Sequence, residues 1–497
     1  MSLKRLASQT VWYGLSNVVA RLITYLLTPF LARVLIGPRG EIEAGSFTTI
    51  YSWLPLLNVL FTYGMETAFF RFSSSEDKDT LYRTQTSALL ISTLLLCGLM
   101  IGFASPIAAY AEIPGRADYV LLCAGIVGFD TIAALPYARL RRDNKPRKYA
   151  LIKVVGILIF VGTVVSLFGL KGWVERNPAM PLSAWWQRYW GLGFILVANL
   201  VQCILTMGML WKELADFRPR LDRAVLGRVM RYSWPILLTG FAGQFNDSMN
   251  RVMFMKIHEG TRDENLRLIG HFGMAAKLAV MINLAIQAFR MAVEPFFFAM
   301  ADKQDAPQTY ARVMKWFVIL LAGMFLSVAL YIDLWRHFIG KYQEAIGLVP
   351  VLLLAYVALG IYYNLTVWYK LTNRTIYGTY TVCIGAAVAV IFNLLFIPSM
   401  GYAACAWSML LSYAVMVVLS YVWGQRFYPI PYNVKKLGAY LGTALALWAV
   451  QFGVTMVVNA VWLRLLSATV LMGVFGGLVW WAEKSELKRF TVKRRVQ

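Results

Sequence analysis

Long polar stretches are missing from this sequence. No segment between its apolar runs is large enough to fold as a separate soluble domain, so the fold has to be built from the runs themselves. Charge is also scarce: Asp, Glu, Lys and Arg make up 15% of 497 residues, with 25 acids against 48 bases. Histidine occurs only at 258, 271 and 337, too scattered to suggest a metal site. The five cysteines, at 97, 123, 203, 383 and 405, all fall in apolar runs, where thiols behave as small hydrophobes. Neither a disulfide framework nor a metal centre is expected from them. No GxxxxGK[S/T] loop is present to cradle a nucleotide phosphate, which argues against ATP hydrolysis by this chain. A membrane glycosyltransferase or polysaccharide ligase needs a sizeable outer segment, and the longest here is about 171–189. The acidic pair Glu41 and Glu43 in GPRGEIEAG reads as part of a solvated loop rather than as catalytic carboxylates. No enzymatic activity and no cofactor are expected.

What is abundant is apolar sequence, 59% of the chain. About fourteen runs reach the roughly 18 to 20 residues that cross a bilayer as helix. They lie near 6–35, 46–72, 84–110, 117–139, 149–170, 190–211, 229–256, 268–299, 313–335, 345–370, 376–398, 402–423, 436–458 and 461–482. Inside hydrocarbon every backbone N–H and C=O must be satisfied within the structure, which leaves helices or a closed barrel. These runs are too long and too evenly apolar for barrel strands, which alternate over about ten residues. The fold class predicted is therefore an all-α polytopic membrane protein. The first run follows MSLKR, exceeds a signal-peptide core and lacks a small-residue cleavage site, so it is expected to be retained as the first helix.

A formal charge of +23 raises the question of nucleic acid, and the placement of the charge answers it. With the N-terminus inside, 31 of the Lys and Arg residues lie in or beside cytoplasmic segments, 11 in or beside outer ones, and six within the spans. This is the positive-inside asymmetry, which puts both termini in the cytoplasm. The basic stretches 139–149 and 217–231 then serve mainly as topology signals, with an anionic-lipid or phosphate contact as a lesser reading and no nucleic-acid partner.

A weak repeat appears when the chain is cut in its long basic loop. ARV (32–34), GSF (45–47) and ETAFFRF (66–72) recur in the same order as NRV (250–252), GHF (270–272) and EPFFF (294–298). Six spans separate the copies, so both run the same way across the membrane, as in a parallel repeat about the membrane normal. The organisation expected is a lobe of six helices over 1–211, a cytoplasmic linker over 212–231, a second six-helix lobe over 232–423, and two C-terminal helices with a basic tail over 424–497.

Charges inside spans cost about 2.5 to 3.5 kcal/mol each on insertion scales, so each needs a reading. In the first run Asn17, Arg21, Thr24 and Thr28 share one helical face within about 60°. Tyr51, Asn58 and Thr62 line the second run with Glu66 at the flank, Gln244, Asp247 and Arg251 line the seventh, and Asn283, Gln287, Arg290 and Glu294 the eighth, with Lys277 to one side. Basic residues at membrane depth (Arg21, Arg33, Lys153, Arg251, Lys277, Arg290) outnumber the acids Glu66, Asp130, Asp247 and Glu294. One reading is structural, with pairs such as Arg290 and Glu294 or Arg251 and Asp247 joining helices. The other is a water-filled cationic cavity for an anionic ligand. Arginine suits phosphate, because its planar fork donates two hydrogen bonds and stays charged. Prolines 29, 55, 136, 235 and 295 supply candidate kinks.

Several segments carry a resemblance to a known family. These are GLSNVVARLITYLLTPFLARVLIG (14–37), GMETAFFRF (64–72), LPYARLRRDNKPRKYA (135–150), RYSWPILLTGFAGQFNDSMNRVMF (231–254), AIQAFRMAVEPFFFAM (285–300), VPVLLLAY (349–356) and NLLFIPSMGYAACAWS (393–408). Together they resemble the Wzx-type polysaccharide flippases of the multidrug, oligosaccharidyl-lipid and polysaccharide export superfamily. The resemblance implies movement of a polyprenyl-diphosphate-linked saccharide from inner to outer leaflet of a bacterial cytoplasmic membrane. Its other implied partners are membrane lipids and further polysaccharide-assembly membrane proteins. Arg21 and Arg290 resemble arginines on the first and eighth helices of the lipid II flippases in the same superfamily. On this reading Arg21, Lys277 and Arg290 engage the phosphates, Asn17, Asn58, Gln244, Asn283 and Gln287 engage sugar hydroxyls, and Arg251 is a further substrate-binding residue. Glu66, Asp130, Asp247 and Glu294 are left for ion coupling or ion pairing. A multidrug cation antiporter shares the fold, but an acidic cavity is expected of it; a glycosyltransferase or ligase is the less favoured alternative.

Overall fold

The structure, a computed structural model, describes residues 18–493 except 74, 75, 216, 302 and 373; of residues 246, 247, 292, 294, 295, 299, 485 and 487–493 it describes the backbone only. Among the described residues every regular element is helical and none is a strand. Among the described residues eleven helices are long and apolar enough to cross a membrane. A 25-residue helix rises about 37 Å, enough for a hydrocarbon core of about 30 Å. The expected count of about fourteen is not established by this measure. Gly37–Thr62 and Arg223–Ile257, two helices that carry the polar stripes, are not among the eleven.

The helices group into two compact units, one comprising residues up to Met274 together with Val382–Ser412, the other Ala275–Thr381 with Tyr413 onward. In chain order the first unit holds α1 (Thr28–Val34), α2 (Gly37–Thr62), α3 (Met65–Phe72), α4 (Lys78–Gly102), α5 (Ala104–Tyr110), α6 (Ala117–Arg142) and α7 (Pro146–Gly169). It continues with α8 (Lys171–Arg176), α9 (Pro181–Tyr189), α10 (Leu192–Met209), α11 (Trp211–Ala215) and α12 (Arg223–Ile257). The long α13 (Arg262–Met300) begins in this unit and ends in the other. The second unit adds α14 (Ala306–Ala329), α15 (Ile332–Ile339), α16 (Val349–Leu365), α17 (Val367–Leu371), parts of α18 (Ile376–Met400) and α19 (Ala403–Phe427), α20 (Val434–Val457) and α21 (Val461–Lys493).

In lipid, apolar side chains are as comfortable outside as inside, so close packing rather than hydrophobicity selects the buried face. The core of the first unit shows this. Tyr119, Cys123, Ala124 and Val127 of α6 pack with Ile50 and Phe61 of α2 and with Leu192, Leu196 and Cys203 of α10. Leu94, Leu95 and Leu151, no less apolar, stay exposed. A close helix contact joins α2 to the first turns of α13. A Cβ on Gly270 would lie 2.9 Å from both the Glu41 carbonyl oxygen and the Gly45 nitrogen, and one on Gly45 would strike the Leu266 carbonyl. Only glycine allows the two backbones to meet there.

Two sequence expectations change at the ends of α2. The acidic pair in GPRGEIEAG is not in a solvated loop: helix begins at Gly37 with Pro38 in its first turn, and the Glu43 carboxylate accepts from the Leu192 N–H at 2.8 Å. A carboxylate thereby satisfies an N–H that the first turn of α10 leaves without an intrahelical partner. The run 46–72 is not one helix either. Tyr63 and Gly64 have φ of +30° and +74°, so the helix stops at Thr62 and restarts at Met65. Pro29 stands in the first turn of α1, after a helical stretch over 18–26 that breaks at Leu27, whereas Pro55, Pro136 and Pro235 are internal to their helices. The segment 171–189 folds as α8 and α9, tied down by Arg39, whose guanidinium donates to the Gln187 carbonyl at 2.7 Å.

Polar residues set several helix ends and attach the trailing pair. Asp222 caps α12 by accepting from the Val225 and Ala224 N–H groups, bonds that hold its carboxyl below the usual range. At one end of the pair, buried Glu483 accepts from Lys315 and Lys436, each at 2.6 Å, and from the Tyr440 hydroxyl at 2.5 Å. At the other, Arg464 meets the buried Asp333 of α15 at 3.5 Å. Helices α20 and α21 are thus fastened to their unit by charge at both ends.

Candidate functional site

In the first unit the polar stripes separate into helix-joining and unsaturated parts. Tyr51 faces inward, its hydroxyl accepting from Asn199 of α10 at 3.2 Å, and the Thr62 hydroxyl turns back to the Asn58 carbonyl at 2.7 Å. Glu66 does not continue this face, because the break at Tyr63–Gly64 intervenes; it pairs instead with Arg141 at the end of α6. Asp130 accepts a thiol contact from Cys203 at 3.4 Å. Arg251 extends from α12 to α2, where one guanidinium nitrogen lies 3.4 Å from the Ser52 hydroxyl, while its Nε is buried without a hydrogen bond among the described residues. Beside it, Asn250 and Asn393 are joined at 2.7 Å. Arg21 is exposed, and Asn58 and Gln244 are half-buried. Asn17 and the side chains of Asp247 and Glu294 lie outside the described residues.

The second unit brings its stripe to a defined cleft. On α13 Gln287 donates to Asn283 at 3.3 Å, and Lys277 lies half-buried further back. One turn on, the Arg290 guanidinium stacks over the Tyr363 ring at 4.0 Å. An aromatic face steadies the cation and leaves its in-plane N–H groups available to an anion. A cleft of about 20 Å³ opens beside it, lined by Arg290, Tyr363, Asn364, Thr366 and Lys370 among others. That is room for about one water, so this conformation holds the site narrow. Asn364 is 2% exposed, and both of its amide atoms lack a hydrogen-bond partner among the described residues. An amide buried in this way costs about 1–3 kcal/mol. Tyr363, Asn364 and Lys370 were not singled out in the sequence. The available signal was an asparagine inside the apolar run 345–370.

Residues 6–301 match the family described as polysaccharide biosynthesis protein, which is more than half of the chain. The chain belongs to the polysaccharide biosynthesis protein family. Comparison of the sequence with curated proteins finds no match. Among solved structures, this family member is similar to a lipid II flippase MurJ in an inward closed conformation, with a TM-score of 0.69, 13% identity, and coverage of 93% of this chain and 98% of that one. It is also similar to a mutant of the Vibrio cholerae MATE transporter VcmN (TM-score 0.57, 12% identity, 85% and 96% covered). A third likeness is to a superfamily transporter from Pyrococcus furiosus, described as having a binding pocket of reverse polarity (TM-score 0.54, 12% identity, 84% and 95% covered). The family member therefore has the multi-pass fold that these flippases and transporters share, as the resemblance implied.

Proposed function

We propose that this polysaccharide biosynthesis protein is a flippase for a polyprenyl-diphosphate-linked saccharide, moving it from the inner to the outer leaflet of a bacterial cytoplasmic membrane. The head of such a lipid cannot cross hydrocarbon unaided, whereas the prenyl tail can remain in lipid, so the protein has to host only the head. Two six-helix lobes, 1–211 and 232–423, would alternate access to a cationic cavity, with the linker 212–231 and both termini in the cytoplasm. Arg21, Lys277 and Arg290 are the proposed phosphate ligands, Asn17, Asn58, Gln244, Asn283 and Gln287 the proposed sugar ligands, and Arg251 a further proposed substrate-binding residue. The observation that carries this reading is Arg290, stacked on Tyr363 in a cleft that also presents the unsatisfied amide of Asn364. A planar cation beside an unpaired amide suits a phosphate joined to a sugar better than it suits a cation.

Cation antiport is the weaker reading, because Glu66 is engaged by Arg141 and leaves fewer acids to attract a positive substrate. The test is depletion of the protein in its host. Lipid-linked saccharide should accumulate on the cytoplasmic leaflet while surface polysaccharide falls, and re-expression should reverse both. Unchanged polysaccharide together with altered drug resistance would favour the antiporter.

A further inference from the structure

We propose that the first unit carries a second anion site, built from residues other than those of the Arg290 cleft, that binds a phosphate-bearing headgroup or free phosphate. It lies where the end of α6, the start of α7 and the short α11 meet. A basin of about 510 Å³ opens there, lined by Arg139, Lys145, Lys148, Trp211, Lys212 and Glu213 among others. Basic residues at this end of the helices are expected from topology alone, but topology requires neither a concavity nor an ordered framework.

Both are present here. Glu213 is 6% exposed, and both of its carboxylate oxygens accept from Lys148, at 2.7 and 2.6 Å. Its backbone carbonyl accepts from Arg139 at 3.2 Å and from the Tyr82 hydroxyl at 3.1 Å. The one acid among the described lining residues is therefore already neutralised. Lys145 and Lys212 remain exposed at the basin, with no acid within ion-pair distance among the described residues. An adjoining recess of about 360 Å³ shares Arg139 and adds Arg83 and Arg218 against Asp79 alone. The sum is a cationic hollow that lowers the free energy of an incoming anion.

Trp211 argues for ligands at the membrane interface. Its ring is 59% exposed at the rim, with the Lys212 ammonium 5.8 Å from its centroid. Exposed tryptophan at the end of a spanning helix belongs to the headgroup layer. The site goes beyond the flippase reading and takes from it only the cytoplasmic sidedness.

Binding can be measured on the purified full-length protein in nanodiscs of phosphatidylcholine, without any transport assay. The probes are short-chain phosphatidic acid and inorganic pyrophosphate, with short-chain phosphatidylcholine as the neutral comparison. Lys145→Gln with Lys212→Gln should weaken phosphate binding roughly tenfold or more, since charge-assisted hydrogen bonds are lost. Lys145→Arg with Lys212→Arg should retain it, and Lys171→Gln, on an exposed side chain just past the opposite end of α7, should change nothing. A lipid probe that binds alone identifies a lipid headgroup as the source. Pyrophosphate binding of similar strength, lost in the same variant, identifies a soluble anion. Wild-type affinity for every probe in a monodisperse glutamine variant would overturn the proposal, as would wild-type protein that prefers neither phosphate probe to phosphatidylcholine.

Discussion

Replacing Arg290 tests the Arg290 cleft where its physics is clearest. A hydrogen bond to a charged group contributes about 1.5–3 kcal/mol, so a guanidinium holding phosphate through two such bonds supplies at least about 3 kcal/mol, or roughly two orders of magnitude in affinity. Arg290→Ala should remove that whole amount. Its structural cost is smaller, because a half-buried cation over the Tyr363 ring at 4.0 Å contributes only about 1 kcal/mol to folding. Arg290→Lys keeps the charge but not the fork, and should lose about half the binding energy, close to tenfold in affinity. The assay is binding of a polyprenyl-diphosphate saccharide to purified protein, alongside export in cells that carry equal amounts of each variant in the membrane. The graded order arginine, lysine, alanine in both readouts is the expected result. Wild-type binding and export by the alanine variant would refute the reasoning and leave Arg290 as a packing residue.

Asn364→Leu should raise thermal stability by about 1–2 kcal/mol, because a buried amide with no partner among the described residues gives way to an apolar group of similar shape, while export falls; a loss of both would mean that the amide is satisfied. Gly270→Leu should abolish export and lower the melting temperature, since its side chain would enter the space held by Glu41 and Gly45; normal export would show that α2 and α13 do not need this contact. Reporter fusions after residues 145, 222 and 490 should read cytoplasmic, and fusions at 180 and 262 periplasmic, as the 31-to-11 charge division requires. Reversal at any of these positions would undo the proposed lobes.

The helices were legible in the sequence because a lipid-embedded backbone must satisfy itself locally, so a long apolar run such as 149–170 has few alternatives to α7. Local chemistry does not disclose partners distant in the chain. Glu43 looked solvated because the group that it caps, the Leu192 N–H, lies 149 residues away. Glu66 can flank the face of Tyr51, Asn58 and Thr62 only on an unbroken helix; the positive φ at Tyr63 and Gly64 divides it, and Glu66 pairs with Arg141. Arg290 could be identified from its spacing with Asn283 and Gln287, but Tyr363 and Asn364 could not, since they come from α16 and their role depends on how it packs against α13.

The most direct measurement is translocation of a fluorescent polyprenyl-diphosphate saccharide by the purified protein in sealed liposomes without nucleotide, with the outward fraction read by an impermeant quencher under an imposed potential. A potential negative on the cytoplasmic side favours outward movement of each uncompensated negative charge by about 2.3 kcal/mol per 100 mV. The account predicts protein-dependent flipping that needs no ATP, responds to that potential or to an ion gradient, and is lost in Arg290→Ala. Flipping that requires ATP hydrolysed by this chain, or that runs at full rate with every gradient collapsed, would contradict it.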